Sequence, residues 1–276
     1  MQVTAATVAP TERSRSPLQE LGLISHQFQF ELRGFLRNTQ ARFFTIILPV
    51  VFLVIFVGIF GNHTVRLASG ATIKQSTYYI PALTSLGIIS AAFTNLVIAV
   101  VTQRESGILK RRRAAPVPAY VLILGRALVA VVVALFMCAL MMAIGSIFYG
   151  ATLPSHTIPG VAVAAILGAL TFCSVGYAVA TFIRFADAAQ PIVQITLLPL
   201  YFISGVFVPQ NQIPNWLGNV ASVFPVRHLS SALITAYDPT TTGAGFSGGD
   251  LAVLAAWAAG GLVVALWRFS WSPRGR

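Results

Sequence analysis

From Ala127 to Ile183 the chain runs without a single Asp, Glu, Lys or Arg. A helix that crosses a bilayer needs roughly 20 mostly apolar residues. This run is long enough for two crossings, and Tyr149–Gly160 (YGATLPSHTIPG) supplies the break between them. Four more charge-free tracts follow the same logic: Phe43–Val65, Gln75–Gln103, Ala188–Val226 and Leu251–Trp267. Together they predict six membrane-spanning helices, at about 43–61, 78–101, 120–148, 159–183, 191–208 and 250–268. Only 9% of the residues are charged, where a soluble domain carries about 25%. The expected class is an all-α integral membrane protein.

The flanking segments complete the plan. Residues 1–17 are polar, rich in Thr, Ser and Pro, and lack the apolar core of a signal peptide, so they are expected as a disordered tail. Residues 18–42 open with LQELGLISHQFQFELRGFLRN, where Leu21, Phe28, Leu32 and Phe35 fall on one helical stripe. Such a helix is expected to lie in the membrane interface with that stripe among the lipids, as an anchor, as a surface for a partner, or as both. Residues 43–276 form the six-span domain. Within it, 209–237 reads as an outer segment that Pro209, Pro214 and Pro225 divide into short helices, with Trp216 among their apolar residues. The stretch DPTTTGAGFSGGD after it reads as a flexible linker.

Orientation follows from the cations. With the N-terminus inside, only Arg66, Lys74 and Arg227 of the 18 Lys and Arg residues fall on the outer side. That bias places both termini in the cytoplasm. The formal net charge of +11 therefore reads as topology anchors beside anionic lipid rather than as a nucleic-acid surface.

Reactive chemistry is sparse. There is no HExxH, no GxSxG, and no GxxxxGK[ST] phosphate loop, so no catalytic site, metal site or cofactor is expected on this chain. Cys138 and Cys173 read as small packing residues. Polar side chains inside the spans are Asn95 in the second, Thr171, Ser174, Tyr177 and Thr181 in the fourth, and Gln194 in the fifth. These either hydrogen-bond between helices or line a translocation path.

The densest charge lies in TQRESGILKRRRAAP, residues 102–116, between spans two and three. A short helix over Gln103–Arg113 would expose Arg104, Glu105 and the basic run, with Ile108 and Leu109 as an apolar toe. Gly107 permits a bend, and Pro116 ends the element. The segment 103–118 thus suits either a membrane anchor or docking into a partner's groove.

This segment resembles the one after the second span of ABC-2 type permeases, which read roughly E-R-E-x-G-T-L-x-x-L-x-x-[TS]-P-[VL]. Arg104, Glu105, Gly107, Leu109, Pro116 and Val117 match; Gln103, Ile108 and Arg112 depart from the pattern. The stretch LLPLYFISGVFVPQNQIPNWLGNVASVFPVRHLSSAL is similar to that family's fifth span and outer helices, through Pro199, Ser204, Gly205, Pro209, Pro214 and Pro225. The resemblance implies a multi-pass permease of the cell membrane that pairs with a second permease subunit. A separate ABC ATPase would bind beneath, carrying ATP and Mg, with residues 103–118 and the interfacial helix receiving its stroke. The helices around Pro209, Pro214, Trp216 and Pro225 would cap the outer mouth. Family members such as daunorubicin-type exporters move drugs, lipids or glycan chains outward. A passive channel or a scaffold is the competing reading.

Overall fold

A computed structural model describes residues 17–60, 63–108 and 119–268. Helix α1 (Pro17–Arg37) precedes six helices long and apolar enough to cross a membrane. These are α2 (Thr39–Ile59), α3 (Gln75–Glu105), α4 (Tyr120–Tyr149), α5 (Ile158–Ala180), α6 (Ala186–Ile203) and α9 (Gly248–Arg268). Between α6 and α9 lie α7 (Asn215–Ala221) and α8 (Pro225–Thr235). A two-stranded antiparallel hairpin, β1 (Thr64–Arg66) with β2 (Thr72–Lys74), joins α2 to α3 in a register that sets Val65 opposite Ile73. One end of the bundle therefore carries α1, and the other carries the hairpin with α7 and α8.

Helix α3 is the centre of the bundle: every residue from Gln75 to Ile89 is buried. Small residues let its neighbours approach. A Cβ on Gly87 would meet the Met137 side chain of α4 at 2.7 Å, and one on Gly176 would meet Leu96 at 3.1 Å. Close backbone approach at small residues is how membrane helices gain packing energy when lipid is as apolar as their side chains. Helix α9 lies at the periphery, packed on α5 through Gly261 and exposing Leu262, Val263 and Leu266 to the surrounding phase.

Two crossings are not regular α-helices. Helix α2 contains a π-helical turn at Phe43–Ile47, and α3 contains one at Ser90–Thr94. The turns abut. Asn95 Nδ2 donates to Thr45 Oγ1 at 2.9 Å, and the Thr45 and Ser90 hydroxyls lie 3.4 Å apart. Single π turns inside α-helices concentrate at functional sites.

Several expectations need correction. The α1 stripe does not face lipid along its length: Phe28, Leu32 and Phe35 pack on the protein core, whereas Leu21 is 63% exposed. The reason is polar as well as apolar, since Glu20 accepts from Tyr120 Oη at 3.0 Å and holds α1 along α4. Helix α3 runs on to Glu105, so Gln103–Glu105 form the last turn of a span rather than the start of a separate element. Helix α6 begins at Ala186 and ends at Ile203, shifted back from the expected 191–208. Asp187 is welcome in its first turn, where the helix dipole favours an anion. At its far end Gly205 (φ +84°) turns the chain, and a Cβ there would strike Gln210 at 2.6 Å. The expected linker is packed too. Gly160 N–H donates to the Ala244 carbonyl at 2.9 Å, and His156 Nε2 lies 3.2 Å from the Thr241 carbonyl.

Candidate functional site at the end of the second span

Three consecutive residues at the end of α3 reach three other helices directly and a fourth through one intermediary. Gln103 Oε1 accepts from Arg126 Nη2 of α4 at 2.7 Å. Arg126 Nε in turn lies 3.3 Å from Glu31 Oε2 of α1, an ion pair whose side chains are 11% and 15% exposed. Tyr177 of α5 adjoins the same guanidinium.

Arg104 turns the other way. It is 3% exposed, donates through Nη1 to the Ala180 carbonyl at 3.0 Å, and donates through Nη2 to the Ile183 carbonyl. The last carbonyls of a helix have no partner within it, and a cation there is favoured by the dipole. Arg104 therefore serves as the cap of α5. Glu105 Oε2 accepts the Ala186 backbone N–H at 2.6 Å and so caps the start of α6. One residue holds the end of a helix and the next holds the beginning of the following one.

The chain then leaves α3 through a tight exit. Ser106 N–H donates to Thr102 O and Gly107 N–H to Arg104 O, with Gly107 at φ +72°. A left-handed residue after a helix is a standard glycine terminator. Among the described residues a Cβ on Gly107 would meet nothing within 4 Å, so the constraint seen there is the left-handed backbone conformation. Ile108 follows, 40% exposed.

Arg104 thus departs from expectation: it is buried rather than offered to solvent. The last carbonyl of α5 and the Ile183 carbonyl of the following turn solvate its charge inside the protein, where an unpaired cation would be expensive. Leu109 and Pro116, with the basic run between them, lie outside the described residues.

The other candidates scatter. Asn95 joins the π-turn contact. Thr171 Oγ1 lies 2.8 Å from the Leu167 carbonyl of its own helix and 3.0 Å from the Leu254 carbonyl of α9, whereas Ser174 and Thr181 return their hydroxyl protons to their own helix. Thr171 and Thr181 are fully packed, and Gln194 stands apart on α6. Of the candidates, Ser174 and Tyr177 line a cavity between α4, α5 and α9, and Asn95 lines another beside α1.

At the hairpin end, Pro209 and Pro225 are buried, Pro214 is exposed, and Trp216 is 67% exposed. Pro225 opens α8 at its first turn, where a missing N–H costs nothing. Two residues that sequence reasoning passed over anchor this segment. Tyr78 Oη donates to the Gly205 carbonyl at 2.9 Å and accepts from Gln210 N–H, and Tyr79 Oη donates to the Phe207 carbonyl at 3.2 Å. His228 Nδ1 lies 2.7 Å from Asp250 Oδ1 and its Nε2 lies 2.8 Å from the Ser222 carbonyl, joining α8 to α9. Arg126, Glu31 and Thr45 were likewise missed as partners. The only signal for Arg126 was its place at the edge of the longest charge-free tract.

This is a six-span membrane protein whose second span is both its core and the place where its helix ends are gathered. The family model for the ABC-2 type transporter matches residues 23–237, and the chain belongs to that family. It is the membrane component of an ABC transporter, a class that works with an ABC ATPase partner. No curated protein matches the chain.

Proposed function

We propose that the chain is the permease subunit of an ATP-driven exporter, coupled through the end of α3 to a separate ABC ATPase that carries ATP and Mg. It works beside a second permease subunit, identical or related. In this reading the α1 end faces the cytoplasm, in keeping with the Lys and Arg bias toward that side. The cargo is hydrophobic or amphipathic, as the nearly charge-free spans favour, and leaves across the cell membrane.

The observation that carries this reading is the Gln103–Arg104–Glu105 turn. Any displacement of the segment after Gly107 acts on a turn bonded to α4, α5 and α6, so a push at one point moves several spans. Two packed arrangements of such an interface give a two-state gate rather than a graded one. A passive channel or a scaffold has no need of a lever at this position.

The test is reconstitution. Proteoliposomes holding the chain with its ATPase are expected to move an amphipathic dye only with ATP, and the chain is expected to stimulate hydrolysis. Equal dye movement by the chain alone, indifferent to ATP, supports the channel instead. Stable co-purification without any effect on hydrolysis supports the scaffold.

A further inference from the structure

At the α1 end a cavity of about 360 Å³ opens between α1, α3 and α4, with Cys173 of α5 at its back. This falls within the range of small-molecule sites, which are mostly apolar and hold a few polar groups. Its polarity is graded. Glu31, Asn38, Gln103 and Arg126 line the part nearest the helix ends, while Leu96 and Val129 line the part deeper in the bundle. Along α3 the lining runs from Gln103 to Ala91, about 18 Å at 1.5 Å per residue. The site is long, with the Glu31–Arg126 pair and Gln103 toward one end and Asn95 among the otherwise apolar lining toward the other.

The charge in the cavity is already balanced. Glu31 and Arg126 neutralise each other, so the site offers no net charge to a ligand. The remaining polar capacity is neutral. Gln103 gives its carbonyl oxygen to Arg126 and keeps an NH₂ group to donate. Asn95 gives an N–H to Thr45 and keeps its carbonyl oxygen to accept. Asn95 directly follows the π turn of α3 and bonds to the π turn of α2, so the deep part of the cavity rests on the two irregular segments of the bundle.

We propose that this cavity binds one uncharged single-chain amphiphile drawn from the leaflet at the α1 end. Its hydroxyl-bearing head lies near Gln103 and Arg126, and its chain lies along Leu96 and Val129. Phe30 and Phe35 of α1 form the outer wall, so α1 acts as the cover of a lipid-sized slot as well as an anchor. The site differs from the scattered polar residues of α5 and α6, and its existence does not depend on coupling to an ATPase.

The experiment uses the whole chain in lipid nanodiscs and a monoacylglycerol that carries a diazirine in its acyl chain. After photolysis, peptide mapping is expected to place label on the segments containing Leu96, Val129 and Phe35, competed by excess unlabelled monoacylglycerol. Two variants fill the slot. Gly34→Leu enters open space, since among the described residues a Cβ there meets nothing within 4 Å, and Ala99→Phe blocks the wall of α3. Each is expected to lower cavity labelling about ten-fold, while label on the exposed residues Leu135 and Phe136 of α4 stays constant. Labelling unchanged by both fillers, or no stronger than at Leu135 and Phe136, overturns the proposal. Stronger and competable labelling by a photoreactive fatty acid or alkylamine overturns the charge-neutral assignment.

Discussion

The Glu105 carboxylate accepts the backbone N–H of Ala186 at 2.6 Å, across 81 residues of chain, and thereby caps a helix that begins where the previous one has just ended. Arg104, its neighbour, closes that previous helix. A span that ends in two opposite charges can hold both sides of a helix–helix turn, because helix ends carry opposite partial charges. The pair thus makes the α5–α6 turn follow the end of α3.

Replacing Arg104 tests the buried half of this clamp. Arg104→Met keeps the length of the side chain and leaves the Ala180 carbonyl at the end of α5 and the Ile183 carbonyl of the turn without this donor. A buried unsatisfied polar group costs about 1–3 kcal/mol, so the variant should lose about 2–3 kcal/mol, read as a lowered thermal midpoint in micelles. Arg104→Lys keeps the charge but not the forked geometry that reaches two carbonyls, and should fall between Met and the parent. A midpoint unchanged by Met would contradict the capping role.

Glu105 is exposed, so under the proposed coupling its replacement should affect transport more than folding. Glu105→Gln keeps an acceptor for the Ala186 N–H and should retain most ATP-driven transport. Glu105→Lys sets a cation against the positive end of α6 and should abolish transport while membrane insertion, checked by protease protection, stays normal. Equal transport by the Lys and Gln variants would remove the clamp from the mechanism.

The spans were legible because charge is excluded from lipid so strictly that its absence marks each crossing. Their ends were less legible, because Arg104 and Asp187 are charges that helix termini absorb, and pattern reading stops at a charge. The role of Gly107 could be read, since few residues terminate a helix as it does. The partners of Arg126 could not: Glu31 is 95 residues away, and only the folding of α1 onto α4 brings them together. Tyr78 and Tyr79 stayed hidden for a related reason. A tyrosine in an apolar run looks like core until the carbonyl its hydroxyl meets is known.

The Glu31–Arg126 pair predicts strong non-additivity. Removing one partner of a buried pair leaves an uncompensated charge and costs about 3–5 kcal/mol, whereas replacing both is far milder. Glu31→Leu or Arg126→Leu alone should destabilise the chain and free α1 for limited proteolysis at its arginines. The double variant should recover much of the loss. A double-mutant cycle with no coupling would show that the pair does not hold α1 in place.

At the hairpin end, Asp238 predicts a pH effect. Burial raises its carboxyl, but hydrogen bonds from Ser69 and from the Thr240 hydroxyl and backbone N–H together outweigh it and hold the group below its usual range. A group whose folded value is depressed adds stability that is present above the unfolded value of about 3.9 and is lost as pH falls through the folded one. The parent's thermal midpoint should therefore drop on acidification below about pH 4. Asp238→Asn should start slightly lower at neutral pH and lose less across the same window. Parallel acid limbs for the two would contradict this account.

The two tyrosines at the start of α3 carry the last prediction. Tyr78 Oη both donates to the Gly205 carbonyl and accepts the Gln210 N–H, at the point where Gly205 takes a left-handed turn that no side chain would fit. Tyr78→Phe deletes only the oxygen and leaves the buried Gly205 carbonyl and the part-buried Gln210 N–H short of a partner, at a cost of about 1–3 kcal/mol. Tyr79→Phe removes the bond to the Phe207 carbonyl together with a contact to the Gln75 side chain. Because Tyr78 lies on the same helix as Arg104, at the opposite end of the bundle, its loss should uncouple the segment at the hairpin end from α3. In proteoliposomes, the ATPase paired with the Tyr78→Phe chain should hydrolyse ATP at near-parental rates while the complex moves less dye per ATP. Hydrolysis and transport falling in proportion would mean that the tyrosine supports the fold but does not link the two ends of the span.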